Sequence, residues 1–182
     1  TNTTATQQTV FLVLTATATK ICAQAPDTVR LLINPNPVVT LSGTYDCLNS
    51  NAVITITTTL GAAASGVLQP GNIASSGTGP TISVNVPISA ATTYSISSMT
   101  VAGCSVAAAI LPTPVTVSTT LPGQPGLWVG TIDNDWFNKC NWANLLVPDN
   151  TVDVHIPGTA IRYCEINPNT SPYASAYGDV AR

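Results

Sequence analysis

Trp128, Trp136 and Trp142 are the only tryptophans of the chain. All three fall in the stretch Gly126–Pro157, GLWVGTIDNDWFNKCNWANLLVPDNTVDVHIP, with four of the eight acidic residues and the one histidine. Exposed indole faces stack on sugar rings and their N–H groups donate hydrogen bonds, so the three are candidates for glycan binding. The competing reading is that they fill the core of a small module poor in other large side chains. Asp133, Asn134 and Asp135, with Asp149 and Asp153, offer oxygen ligands of the kind calcium takes, and Asp133 and Asp135 are the candidate metal ligands. The EF-hand spacing is absent, and the same residue types belong in turns where they bond the local backbone. His155 shares a predicted strand face with Asp153, but no Gly-x-Ser-x-Gly elbow supplies a nucleophile, so a solvated strand histidine is the plainer reading. Glycoside hydrolysis needs two carboxylates flanking the bond. Glu165 is the only glutamate, and from Leu31 to Ile132 Asp46 is the only charged side chain. No catalytic set, resident metal or cofactor is expected from these residues.

The elements that position these side chains are written in β code. Only 7% of residues are charged and the net charge is −3. The five basic residues form no patch that could neutralise nucleic-acid phosphates or an anionic membrane. No apolar run approaches the roughly 20 residues of a membrane helix, and no targeting segment is visible. The recurrent signal is period-two alternation in short runs rich in β-branched residues, broken by Gly, Pro and Asn. Ile82, Val84, Val86 and Ile88 alternate with small or polar partners, as do Val152, Val154 and Ile156. No window predicts a helix of ordinary length: Gly61–Gly66 is flanked by glycine, and Ala107–Ala109 ends at Pro112.

An internal repeat sets the expected domain count. TVFLVLTATATKIC (Thr9–Cys22), followed by DTVRLLINPNP, resembles TTYSISSMTVAGC (Thr92–Cys104), followed by SVAAAILPTP. Residues 1–37 are therefore expected to be the final strands of a preceding sandwich domain, and residues 38–120 a complete one. Residues 121–125 read as a proline-stiffened linker that holds its neighbours apart. Residues 126–182 read as an incomplete Trp-rich β module, and the whole as part of a longer protein. Six or seven strands in about 80 residues fit an immunoglobulin-like β-sandwich, although the buried tryptophan of antibody domains is missing.

Five cysteines without a Cys-x-x-Cys pair, beside one histidine, argue for disulfides in an oxidising compartment rather than zinc. The domain division suggests Cys47–Cys104, a bridge worth roughly 4 kcal/mol in the chain-entropy model, and Cys140–Cys164. Cys22 would then lack its partner here. Free buried thiols are the alternative.

Trp-x-Gly at Trp128–Gly130, Asp135-Trp136, Asn141-Trp142, Val147-Pro148 and VDVHIP together resemble a module of large secreted surface proteins of Bacteroidota. In those proteins such a segment opens a β-rich, often solenoid-like domain. NPNPVVTLSG, the early Asp46-Cys47 and the late Gly103-Cys104-Ser105 are similar to tandem repeats of such proteins, including gliding-motility adhesins exported by type IX secretion. The resemblance implies a secreted, surface-exposed, multidomain protein, and Asp27-Thr28-Val29 resembles the O-glycosylation acceptor of that phylum, with Thr28 as the modified residue.

The resulting expectation is an all-β, non-catalytic structural and adhesive segment on the bacterial cell surface. Its partners would be other domains of the same chain, and surface polysaccharide or secretion and motility proteins. Nucleic acid and membrane insertion are not expected. One alternative is a carbohydrate-binding module of a secreted polysaccharide-degrading enzyme. The other is a secretion cargo or filament segment held by a partner complex.

Overall fold

The computed structural model describes residues 2, 7–15, 27–59, 63–167 and 172, and within them the chain is all-β. Strands β1 (Gln8–Leu14) and β2 (Asp27–Ile33) form a two-stranded antiparallel hairpin. A three-stranded sheet follows from β3 (Val39–Asp46), β4 (Asn51–Thr58) and β7 (Thr81–Pro87), in the order β3-β4-β7. The facing sheet runs β10-β8-β5-β6, from β5 (Ala64–Gln69), β6 (Ile73–Gly77), β8 (Thr92–Val101) and β10 (Val115–Val117), with the short β9 (Cys104–Ser105) also on β8.

The alternation read from the sequence is what packs these two sheets into a sandwich. Ala52, Ile54 and Ile56 of β4 and Ile82 of β7 point inward and meet Leu68, Tyr94, Ile96, Met99, Val101 and Val117 of the other sheet. Burying such side chains contributes about 1.5–3 kcal/mol each, and the intervening Thr and Ser residues face water. In β8 the inward pair Tyr94 and Ile96 gives way to Met99 and Val101, one step out of phase. The register against β5 shifts between Val67 and Leu68, as a bulge does when it inserts an extra residue.

The predicted strand at VDVHIP is corrected. Only His155 makes a ladder contact, a single parallel bridge to Leu127, and Val154 and Ile156 stay 40% and 38% exposed. The Asp149 carboxylate draws the preceding chain into a turn by accepting from the Thr151 N–H at 2.9 Å and hydroxyl at 2.6 Å, and Pro157 ends the extended run. A second parallel bridge joins Asp135 to Glu165, so residues 126–137 are overlaid by residues 153–166 running in the same direction. The Ala107–Ala109 region holds only a three-residue 3-10 turn, Ala108–Ile110.

The linker does not hold its neighbours apart. The Leu121 N–H donates to the Asn144 carbonyl at 3.2 Å, and Gly123 lies so close to the Ala143 carbonyl that no Cβ fits. The hairpin β1–β2, in contrast, is exposed along both strands. Cys22 lies outside the described residues.

Ile54 is fully buried at the centre of the sandwich. Ile54→Ala is expected to lower unfolding free energy by about 2–5 kcal/mol in urea denaturation; a loss under about 1 kcal/mol would show that this face is not the core.

Candidate functional site

Cys47 and Cys140, two of the residues singled out in the sequence, meet at the junction between sandwich and tryptophan module. A four-residue turn after β3 carries Cys47. Asp46 accepts from the Asn49 N–H at 3.3 Å and from its side-chain amide at 2.7 Å, and Ser50 closes the turn with a positive φ of 53°. These bonds stabilise the charged carboxylate, so the Asp46 pKa lies below its ordinary 3.8, with the Asn49 side chain as the main cause.

On the other side, a 3-10 turn, Lys139–Asn141, presents Cys140. The Asn138 side chain caps it by accepting from the Cys140 N–H at 3.1 Å. Cys47 and Cys140 are joined in a disulfide with a Cα–Cα distance of 5.8 Å. Beside it the Lys139 ammonium donates to the Tyr45 hydroxyl at 2.8 Å and stands 5.2 Å from the centre of that ring.

Both expected bridges, Cys47–Cys104 and Cys140–Cys164, are therefore replaced by one. The reason is polarity of the strands. Cys47 follows β3 at the end where Asn51 and Pro87 pair, which is also where β8 begins. Cys104 pairs with Val101 at the other end of that ten-residue strand, about 30 Å away at 3.3 Å per residue, whereas a disulfide needs Cα atoms within about 7 Å. Cys104 is an exposed free thiol. Cys164 is free and partly buried, and burial pushes its pKa up.

The three tryptophans form one cluster. Trp142 meets Trp128 edge to face at 5.0 Å between ring centres and Trp136 likewise at 4.7 Å, and its indole N–H donates to the Trp136 carbonyl at 2.9 Å. Trp128 is fully buried and Trp142 nearly so, which leaves Trp136 alone with a partly open face. That placement favours core packing over glycan stacking. It also accounts for Trp-x-Gly. The Trp128 indole N–H donates to the Arg162 carbonyl at 2.6 Å, and Gly130, at a φ of +58°, lets that carbonyl approach where a Cβ would sit 2.5 Å away.

Asp133 and Asp135 serve turns. The Asp133 carboxylate accepts from the Asp135 N–H at 3.0 Å, from Asn138 at 2.8 Å and from Asn141 at 2.5 Å; Asp135 accepts from the Phe137 N–H at 3.0 Å. Among the described residues no group of three or more His, Cys, Asp or Glu side chains is placed to hold a metal ion. Asn138 and Asn141, both buried, complete this network, the Asn141 side-chain oxygen Oδ1 accepting from the N–H groups of Ile132 and Asp133. Neither of them was given this bracing role from sequence; the signal for it was the crowding of Asn and Asp in DNDWFNKCN.

The remaining candidates are dispersed. His155 is exposed, its backbone tied to Gly126 and Trp128, and among the described residues no hydrogen bond to its ring joins it to a nucleophile. Glu165 accepts from the Asn134 side chain at 2.8 Å. Thr28 is exposed on β2. A cleft of about 300 Å³ beside Trp128, walled by Leu127, Val129, Pro157 and Ile161, is apolar, and a wider one of about 560 Å³ at the far end of the sandwich is lined by small residues such as Ala64, Ser65 and Thr100.

Three outcomes are expected. Non-reducing peptide mapping should recover a Cys47–Cys140 peptide, whereas a Cys47–Cys104 peptide would contradict the strand polarity. Gly130→Ala should destabilise the protein by about 1–3 kcal/mol in thermal unfolding, since it meets both a positive φ and the Arg162 carbonyl; wild-type stability would refute the close approach. Because the folded Asp46 pKa lies below 3.8, the stability it supplies is present above that pH and is lost as pH falls through the folded value. NMR titration of Asp46 should give a midpoint below 3.8, raised by Asn49→Ala, and a wild-type midpoint at or above 3.8 would refute the turn.

No protein-family model, curated protein or solved structure matches the chain, so the junction has to be interpreted from its own geometry.

Proposed function

We propose that this chain is a non-catalytic structural and adhesive segment of a large bacterial surface protein, in which an Ig-like sandwich and a tryptophan-centred β module form one stiff unit. The observation that carries this reading is the junction itself. A disulfide, a Lys–Tyr contact and a close-packed linker fasten two modules whose most distinctive side chains are spent on packing. Disulfides persist in oxidising compartments, which supports a non-cytoplasmic chain. Thr- and Ser-rich outer strand faces with few charges suit a surface that must stay hydrated without being sticky. Its partners in this reading are neighbouring domains of the same chain and surface polysaccharide or secretion and motility proteins.

Antibodies against the folded chain should label intact cells that make it, and brief protease treatment of those cells should remove the label. Labelling only after permeabilisation would overturn the reading.

A further inference from the structure

We infer that the Cys47–Cys140 bond is a mechanical bypass: tension carried along the chain crosses from β3 to the tryptophan module through the disulfide and leaves residues 48–139 unloaded. Three observations carry this. The first is the path. β3 runs from the pole where residues 34–38 enter the sandwich to the pole that carries Cys47, where the bond passes directly to Cys140, 93 positions further along. The second is the state of that path. A strand already rises about 3.3 Å per residue, close to the 3.3–3.6 Å limit of a fully drawn chain, so β3 has almost nothing to give when pulled. It is also paired along its whole length with β4 by eight register pairs, from Val39↔Thr58 to Asp46↔Asn51, which keep it extended while the strand itself carries the load. The third is what is spared. Without the bond, tension would leave the sandwich through β10, a strand of three residues held to β8 by three register pairs, and then through the linker. Three register pairs would then stand in the load path in place of a covalent bond.

The far anchor is built to match. Cys140 is 8% exposed, its N–H is held by buried Asn138, and the next residue is the buried Asn141 that organises the loop from Ile132 to Asp135. The inference rests on the stiff-unit reading above for its use in the cell, but its test does not.

The full chain is held by its two ends in a single-molecule force instrument and stretched to complete unfolding. The oxidised protein should lengthen without any contribution from residues 48–139. The Cys47→Ser/Cys140→Ser variant should lengthen by about 300–330 Å more, about 90 residues at 3.3–3.6 Å each. Should that variant fail to fold, the oxidised wild-type chain held at constant force and then exposed to a phosphine reductant supplies the same measurement, as a single step of that size on reduction. Equal lengthening of the oxidised and serine chains, or no step on reduction, would overturn the bypass. Cell-surface labelling is independent of this result: a chain that labels intact cells yet lengthens equally in both forms refutes the bypass alone.

Discussion

A single covalent bond decides how two unlike pieces of architecture share one shape. The sandwich owes its form to aliphatic side chains from two sheets. The tryptophan module has little regular ladder and owes its form to indole packing and to Asn and Asp side chains that replace backbone pairing. Joining Cys47 to Cys140 across a separation of 93 positions removes about 4–5 kcal/mol of unfolded-state freedom in the chain-entropy model. The Lys139–Tyr45 contact and the Leu121–Asn144 hydrogen bond add two further restraints between the two modules.

Much of the sandwich could be read from residue order because its physics is local. In β4 the inward residues Ala52, Ile54 and Ile56 are aliphatic at every second position up to the buried Thr58, as are Ile82, Val84 and Val86 in β7, and burial follows that pattern. Where alternation failed, in β8, a bulge had shifted the phase, and nothing in YSISSMTV announces the extra residue. At VDVHIP the alternation was present but the strand was not. Side-chain chemistry at Asp149 and the proline at 157 bent the chain, and only one parallel contact remained for it. Alternation records which faces are apolar; it carries no information on whether a partner strand lies alongside.

Cysteine pairing was illegible for a different reason. A bridge depends on which ends of strands meet in space, and two cysteines flanking one domain can sit at opposite poles of it, as Cys47 and Cys104 do. The tryptophans were better marked, because a segment with few other large side chains has little else to fill its core. Asn138 and Asn141 were marked only by the crowding of Asn and Asp around them, because a buried asparagine that caps and braces a turn looks in sequence like any asparagine in a solvated one.

The hairpin of β1 and β2 differs from the sandwich in having apolar residues on both faces. In the observed register Val10, Leu12 and Leu14 share a face with Val29, Leu31 and Ile33, while Phe11 and Val13 lie on the opposite face with Arg30 and Leu32. Aliphatic side chains thus meet water on both sides of a two-stranded ribbon, and its outer backbone edges are open to further strands. Among the described residues it is therefore the element whose side chains and edges are best placed to receive a further strand.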